Sequence, residues 1–163
     1  MADATIRAGT PDDAGLILEL VRELAAFERA PDAVKATEED FRRGLGGPRL
    51  AFECLIAETG GEVAGMAVFF PTFSTWEGRP GLKLHDLYVR EAARGSGVGR
   101  LMLAGLARTA LGRGCTRVDL DVLDWNPARR FYERAGLRPL EGWLAYRAGA
   151  DALARLAAGE EAG

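Results

Sequence analysis

One stretch, residues 83–114, KLHDLYVREAARGSGVGRLMLAGLARTALGRG, limits what this 163-residue chain can fold into. Its first part carries Leu84, Leu87, Tyr88 and Val89 in the pattern of a largely buried strand. Val98, Leu101, Met102, Gly105, Leu106, Thr109 and Ala110 then recur at helical spacing, and Gly114 stands where a helix-ending glycine belongs. The joint between strand and helix holds Gly95, Gly97 and Gly99 at alternate positions. Bare backbone there meets the unpaired N–H groups and partial positive charge of a helix start, which together make an anion cradle suited to a phosphate or pyrophosphate. Arg94 and Arg100 flank it with cations.

Two familiar glycine loops do not fit. The dinucleotide pattern needs glycine where Arg100 stands, and the P-loop needs a Gly-Lys-Ser/Thr sequence that the chain lacks. The pattern that does fit is R-x-x-G-x-G, met by the run Arg94, Gly95, Ser96, Gly97, Val98, Gly99.

The length suits one domain, 1–163, with a substantial core. Hydrophobic residues at 48% and charged residues at 28% argue against disorder, and a formal charge of −3 argues against a nucleic-acid partner. No apolar run approaches the roughly 18 residues of a membrane span, so no membrane association is expected. The N-terminus lacks the basic and apolar regions of a signal peptide, which makes the cytoplasm the expected location. Cys54 and Cys115 are widely separated and the chain has a single histidine, so two buried free thiols are expected rather than a disulfide or a metal site.

Residues 5–8 form a first strand, and Thr10, Pro11, Asp12 and Asp13 start a helix that runs to about Phe27. Glu28 lies at that helix's negative end, where a carboxylate is unfavourable; it is either a functional acid or a solvated loop residue. Thr37 to Asp40 open a second helix that ends near residues 44–47. Strands at 52–58 and 62–73 flank the hairpin residues Thr59, Gly60 and Gly61. Residues 74–82 read as a polar loop whose Trp76 either covers a site or tucks against the body. A strand at 117–123 follows the central helix. Asn126 and Pro127 then start a short helix that Gly136 ends, strands follow at 137–140 and 143–147, and a helix at 151–158 closes the chain. This order describes a mixed α/β sheet with helices on its faces and a parallel crossover over 83–123.

The glycine run of 94–99, together with Asn126 and the segment FYERAGL of 131–137, resembles the GCN5-related N-acetyltransferases, the GNAT family. Within that family the chain is similar to the diamine (spermidine/spermine) and thialysine acetyltransferases. The similarity runs through Ile6 and Arg7, the run 22–25 with Phe27 and Glu28, Trp76, Asp86, Val89, the run 124–126, and Glu141 to Trp143. The resemblance implies a mixed, mostly antiparallel sheet of about six to seven strands, splayed into a V between the fourth and fifth, with helices on both faces. It implies acetyl-CoA as co-substrate without a metal, a small-molecule amine as acceptor, and a homodimer. The pantetheine arm would pair with the backbone of Leu87, Tyr88 and Val89. The diphosphate would sit on Arg94, Gly95, Ser96, Gly97, Val98, Gly99 and Arg100, and Asn126 would contact the coenzyme. Tyr132 matches the family's general acid. Phe27, Glu28, Trp76, Asp86, Asp119, Asp121 and Glu141 match positions that line the amine site.

His85 departs from that branch, which carries a glutamate there. Imidazole keeps the base function but gives no negative charge to hold a polyamine, so a less cationic amine is expected, unless His85 is structural. The turn after Asn126 is also one residue shorter than usual, which bears on its coenzyme contact and leaves Tyr132 one helical turn beyond Ala128. Protein or peptide acetylation is the alternative acceptor. An acyl-CoA-binding sensor without turnover is the alternative class; the presence of both the glycine run and Tyr132 favours an enzyme.

Overall fold

The computed structural model describes residues 4–159. The chain divides into two compact units, 1–129 and 130–163. The first unit holds strands β1 (Ala4–Ala8), β2 (Glu53–Thr59), β3 (Glu62–Ser74), β4 (Arg79–Val89) and β5 (Val118–Leu120). It also holds helices α1 (Ala14–Phe27), α2 (Glu38–Gly46) and α3 (Val98–Gly112). Helix α4 (Ala128–Arg134) begins in the first unit and ends in the second, which also contains α5 (Ala150–Ala157).

The sheet order is β1-β2-β3-β4-β5. Its first three pairings are antiparallel, and β5 joins β4 in parallel after the α3 crossover. Gly60 and Gly61, at φ 59° and 81°, make the two-residue turn that the β2–β3 hairpin requires. Alternation along the strands then sorts residues to two faces. On one face, Ile17, Leu20 and Leu24 of α1 and Leu45 of α2 pack on Cys54, Ile56, Met66, Val68 and Tyr88. On the other, Leu55 and Gly65 meet α3, whose buried residues are Val98, Met102, Leu106 and Ala110. Gly105 lets α3 settle close to the sheet, since a Cβ there would lie 3.1 Å from Ile6 and 3.3 Å from Leu55. The mixed, mostly antiparallel sheet with helices on both faces is as expected.

Helix termini follow the sequence closely. Thr37 caps α2 through a reciprocal pair with Asp40. Gly114, at φ 69°, ends α3, with the Gly114 N–H on the Leu111 carbonyl (3.0 Å) and the Cys115 N–H on that of Ala110 (2.9 Å). Gly136 ends α4 in the same way, through Glu133 and Tyr132. Both cysteines are free. Cys54 is buried and its thiol is pushed up to about 12, mainly by burial, whereas Cys115 is half-buried.

Four expectations need correction. Strand β4 starts at Arg79, not at 83, so the expected loop of 74–82 shrinks to a tight turn. Gly81 and Pro80 read as loop residues, yet Gly81 is needed inside the strand because a Cβ there would lie 2.8 Å from Thr72 Oγ1 and 3.2 Å from Arg117. Strand β5 spans three residues rather than 117–123. Residues 137–140 and 143–147 form no strands, so the described residues hold five strands, not six to seven. Alternation marks a segment as able to form a strand, but a strand exists only where a neighbour accepts its hydrogen bonds.

Arg7 ties the sheet to the start of α1. It bonds the Asp13 carboxylate through two nitrogens, at 2.8 and 2.9 Å, and Glu58 at 2.7 Å. The Arg7 side chain holds the Asp13 carboxyl down at about 2, below the ordinary value of about 3.9. A carboxyl depressed on folding adds stability that is complete above its unfolded value and lost as pH falls through the folded one. We therefore expect urea midpoints of the wild type and Asp13→Asn to differ at pH 6 and to converge as pH falls from about 4 towards about 2. A gap that persists unchanged at pH 2 would contradict this.

Candidate active site

The sheet is irregular at the Ala57–Glu58 step of β2 and again in the middle of β4. Val68 pairs with Asp86, and the next residue of β3, Phe69, pairs with Leu84, so His85 is an extra residue on β4. Such a bulge re-aims side chains and bends its strand. Pairing with β5 covers Leu82 to Leu84 alone, so β4 continues from His85 to Val89 with no rung to β5. This leaves a stretch of strand edge, containing Leu87, Tyr88 and Val89, beyond the last rung. His85 itself is exposed, with its ring 5.9 Å from that of Phe70.

Past Val89 the chain makes a short turn, Glu91–Ala93, and enters the glycine run. Ser96 Oγ donates to the Ala93 carbonyl at 2.6 Å, which fixes the turn from inside. Gly95 and Gly97 take φ of 79° and 93°, and Gly97 is the N-cap of α3. A Cβ placed on either would meet nothing within 4 Å, so no side chain fills the space beside these two residues. The N–H groups of Val98, Gly99 and Arg100 open α3 and have no acceptor within the helix. Bare amides, left-handed glycines and an exposed Arg100 fit a diphosphate.

Arg94 is built into the wall rather than left loose. Its Nε donates to the Val89 carbonyl at 3.0 Å, and its guanidinium lies 4.8 Å from the Phe27 ring centroid and 5.8 Å from that of Tyr88. The Tyr88 phenol is pushed up by burial and by the Glu23 carboxylate. Glu23 in turn binds Arg90 at 2.9 Å, and Glu19 joins the same guanidinium. A chain of charges thus runs from the outer face of α1 to the foot of α3. The Tyr88 side chain points into the core cluster, so only its backbone can serve the strand edge.

The other side of the bulge is acidic. Glu28 caps the C-terminal end of α1, and burial together with the nearby Asp86 carboxylate raises its pKa. Asp86 is raised by burial, against the opposing effect of His85. Glu28, His85, Asp86 and Phe27 are therefore brought to one region. Asp119 and Asp121 are already engaged, with Arg117 at 3.1 Å and Lys83 at 2.8 Å. Trp76 is 91% exposed on the β3–β4 turn, which lies roughly 20 Å along β4 from Asp86, so it neither tucks in nor covers this region. Asn126 is buried and its Oδ1 accepts the Ala128 N–H at 2.9 Å, capping α4. Tyr132 and Glu141 belong to the second unit, where the Tyr132 carbonyl takes the Leu137 N–H at 3.1 Å. Among the described residues no cluster of His, Cys, Asp or Glu could hold a metal ion.

Three residues here were given no role by their sequence context: Glu23, Arg90 and Arg29. Glu19 and Glu23 lie one helical turn apart on α1, a doubled acid that calls for a cation, but nothing local points to Arg90. Arg29 follows Glu28 at the α1 terminus, and its guanidinium lies 4.5 Å from the Trp125 ring centroid.

The family model described as the acetyltransferase (GNAT) family matches residues 17–137. The chain is 37% identical over 169 aligned positions to the thialysine N-epsilon-acetyltransferase of Sus scrofa, covering 96% of this chain and 99% of that protein. It is 35% identical to the human spermidine/spermine N(1)-acetyltransferase-like protein 1, over 87% of this chain and 22% of that longer protein. Among solved structures it is similar to an integron cassette protein from the mobile metagenome of V. cholerae, with a TM-score of 0.79 and 24% identity, covering 96% and 98% of the two chains. With the family model spanning most of its length and a relative similar from end to end, this chain belongs to the GNAT family of acetyltransferases.

Proposed function

We propose that the chain, acting as one domain over 1–163, moves an acetyl group from acetyl-CoA to the primary amine of a small molecule by direct attack in a ternary complex. The observation that carries this reading is the end-to-end similarity to a thialysine N-epsilon-acetyltransferase, supported by the bare glycine turn that follows a strand edge without rungs to β5. Bound coenzyme supplies an acyl thioester. The amides of 95–100, with Arg94 and Arg100, hold the diphosphate, and the backbone of Leu87 to Val89 aligns the arm along β4. The resemblance gives Asn126 a further contact with the coenzyme.

The acceptor enters as an ammonium, since an alkylamine titrates near about 10. Glu28 and Asp86 hold the cation, and Phe27 bounds the space on the Arg94 side. Attack needs a neutral nitrogen, so one proton leaves for the imidazole of His85, directly or through water. The nitrogen then bonds to the acetyl carbon and the carbon–sulfur bond breaks; the phenol of Tyr132, in the role the resemblance gives it, donates a proton to the sulfur, and the proton the nitrogen still sheds as the amide forms passes through water to restore the phenol. Asp119, Asp121 and Glu141 are assigned to the amine side by the resemblance alone; it assigns Trp76 there too, although that residue stands on the turn at the opposite end of β4 from Asp86. A homodimer is the assembly the same resemblance implies, and the cytoplasm is the expected location. Among the described residues no helix is long and apolar enough to cross a membrane.

Thiol release from acetyl-CoA is the direct test, with diamines, polyamines, lysine analogues and N-terminal peptides as acceptors. Turnover with small amines supports the reading, turnover with peptides alone moves it to proteins, and coenzyme binding without turnover makes the chain a sensor. Tyr132→Phe is expected to lower kcat by about 10²-fold or more with coenzyme affinity nearly unchanged; an unaltered rate removes Tyr132 from the chemistry. Replacing His85 with alanine is expected to move the acidic limb of the rate profile to higher pH, because a free amine must then arise without an internal base. A profile that keeps its shape assigns His85 to structure instead.

A further inference from the structure

The short turn Glu91–Ala93 that leads into the glycine run is bracketed by two arginines, Arg90 and Arg94, and both are tied down. Arg90 donates to Glu23 from Nε at 3.2 Å and from one terminal nitrogen at 2.9 Å; that terminal nitrogen also meets Glu19, and the other donates to the Val63 carbonyl at 3.4 Å. Its backbone N–H reaches the Ala64 carbonyl at 2.9 Å. Arg94 donates from Nε to the Val89 carbonyl at 3.0 Å, with its guanidinium over the rings of Phe27 and Tyr88.

One carboxylate reaches both arginines. Glu23 bonds Arg90 directly, and the Tyr88 phenol stands between Glu23 and Arg94: burial raises it first, the Glu23 carboxylate raises it further, and the Arg94 guanidinium lowers it. A phenol so placed donates to the carboxylate and accepts from the guanidinium. Tyr88 is packed in the core with Leu20 and Leu24 of α1, which fixes the phenol in place. The side chains of Arg90 and Glu23 are 28% and 31% exposed, so their pairing is worth more than that of ions held in open solvent. At its end α1 closes on Arg29, the one non-glycine residue with positive φ among those described, at 62°, a costly conformation for an L residue. Its ion pairs with the end of β4 run along its flank, through Glu19 and Glu23.

We propose that Glu23 is a positioning residue for the coenzyme: holding Arg90 directly and Arg94 through the Tyr88 hydroxyl, it keeps the entry to the glycine run in the shape that receives a diphosphate. This rests on the reading of residues 94–100 as the diphosphate site. Glycines leave such a run with wide conformational freedom, and ordering it on binding costs affinity. A clamp on both ends of the preceding turn removes part of that cost before the coenzyme arrives.

Calorimetry with coenzyme A tests this without requiring turnover, and steady-state kinetics with acetyl-CoA and the best amine adds a second readout. Glu23→Gln keeps the size of the side chain and removes its charge. It is expected to raise Kd for coenzyme A and KM for acetyl-CoA by about tenfold, with kcat and the acceptor KM within about twofold of wild type. Glu23→Asp, which keeps the charge, is expected to lie between wild type and Glu23→Gln. Glu19→Gln takes a carboxylate from the same Arg90 but has no path to Arg94, and is expected to leave Kd within about twofold. A general loosening of α1 would instead reach Phe27 and Glu28 and raise the acceptor KM. An unchanged Kd in Glu23→Gln, an equal rise in Glu19→Gln, or a loss shared by kcat and the acceptor KM overturns the role of Glu23 while the coenzyme reading stands. Failure of the wild type to bind coenzyme A sinks that reading and this one with it.

Discussion

The parallel pairing of β4 with β5 stops after three residues, and the features of the candidate site follow from that stop. Had the ladder continued, the backbone from His85 to Val89 would be spent on a neighbouring strand. The bulge at His85 is where the register of β4 changes against β3, and the last rung to β5 falls just before it. A single extra residue thus marks the end of pairing on one side and lies beside Asp86, the acid that faces α1. The glycine run follows at once, so strand edge and helix start form one continuous stretch of main chain with hydrogen-bonding groups to offer.

Around that stretch the side chains divide by charge. The foot of α3 gathers Arg94 and Arg100, with Arg94 fixed between two rings and a carbonyl. The end of α1 and the middle of β4 gather Glu28 and Asp86, both carried away from their ordinary titration by burial. Burial penalises the charged form of both carboxylates, and a cation beside them would offset that penalty. Glu23 and Arg90 hold the two halves at a set distance, because they join the middle of α1 to the turn that leads into the glycine run.

Much of this was legible in the sequence, because it is encoded locally. The glycine run, the Gly60–Gly61 turn, the caps at Thr37 and Asn126 and the endings at Gly114 and Gly136 are short-range signals, and each lies where its chemistry says it should. The misreadings share a different cause. Pro80 and Gly81 look like loop residues until the crowding by Thr72 and Arg117 shows why a side chain cannot fit. The apolar alternation of 137–147 suggests strands, but no partner strand is present to complete them among the described residues. Long-range pairs such as Arg90 with Glu23, or Arg29 with Trp125, leave no trace in spacing, since neither partner's neighbourhood names the other.

The left-handed backbone at Arg29 is a local weak point of the fold. A glycine there would relax the chain by about 1 kcal/mol, so the end of α1 is held in place against a small and constant conformational cost.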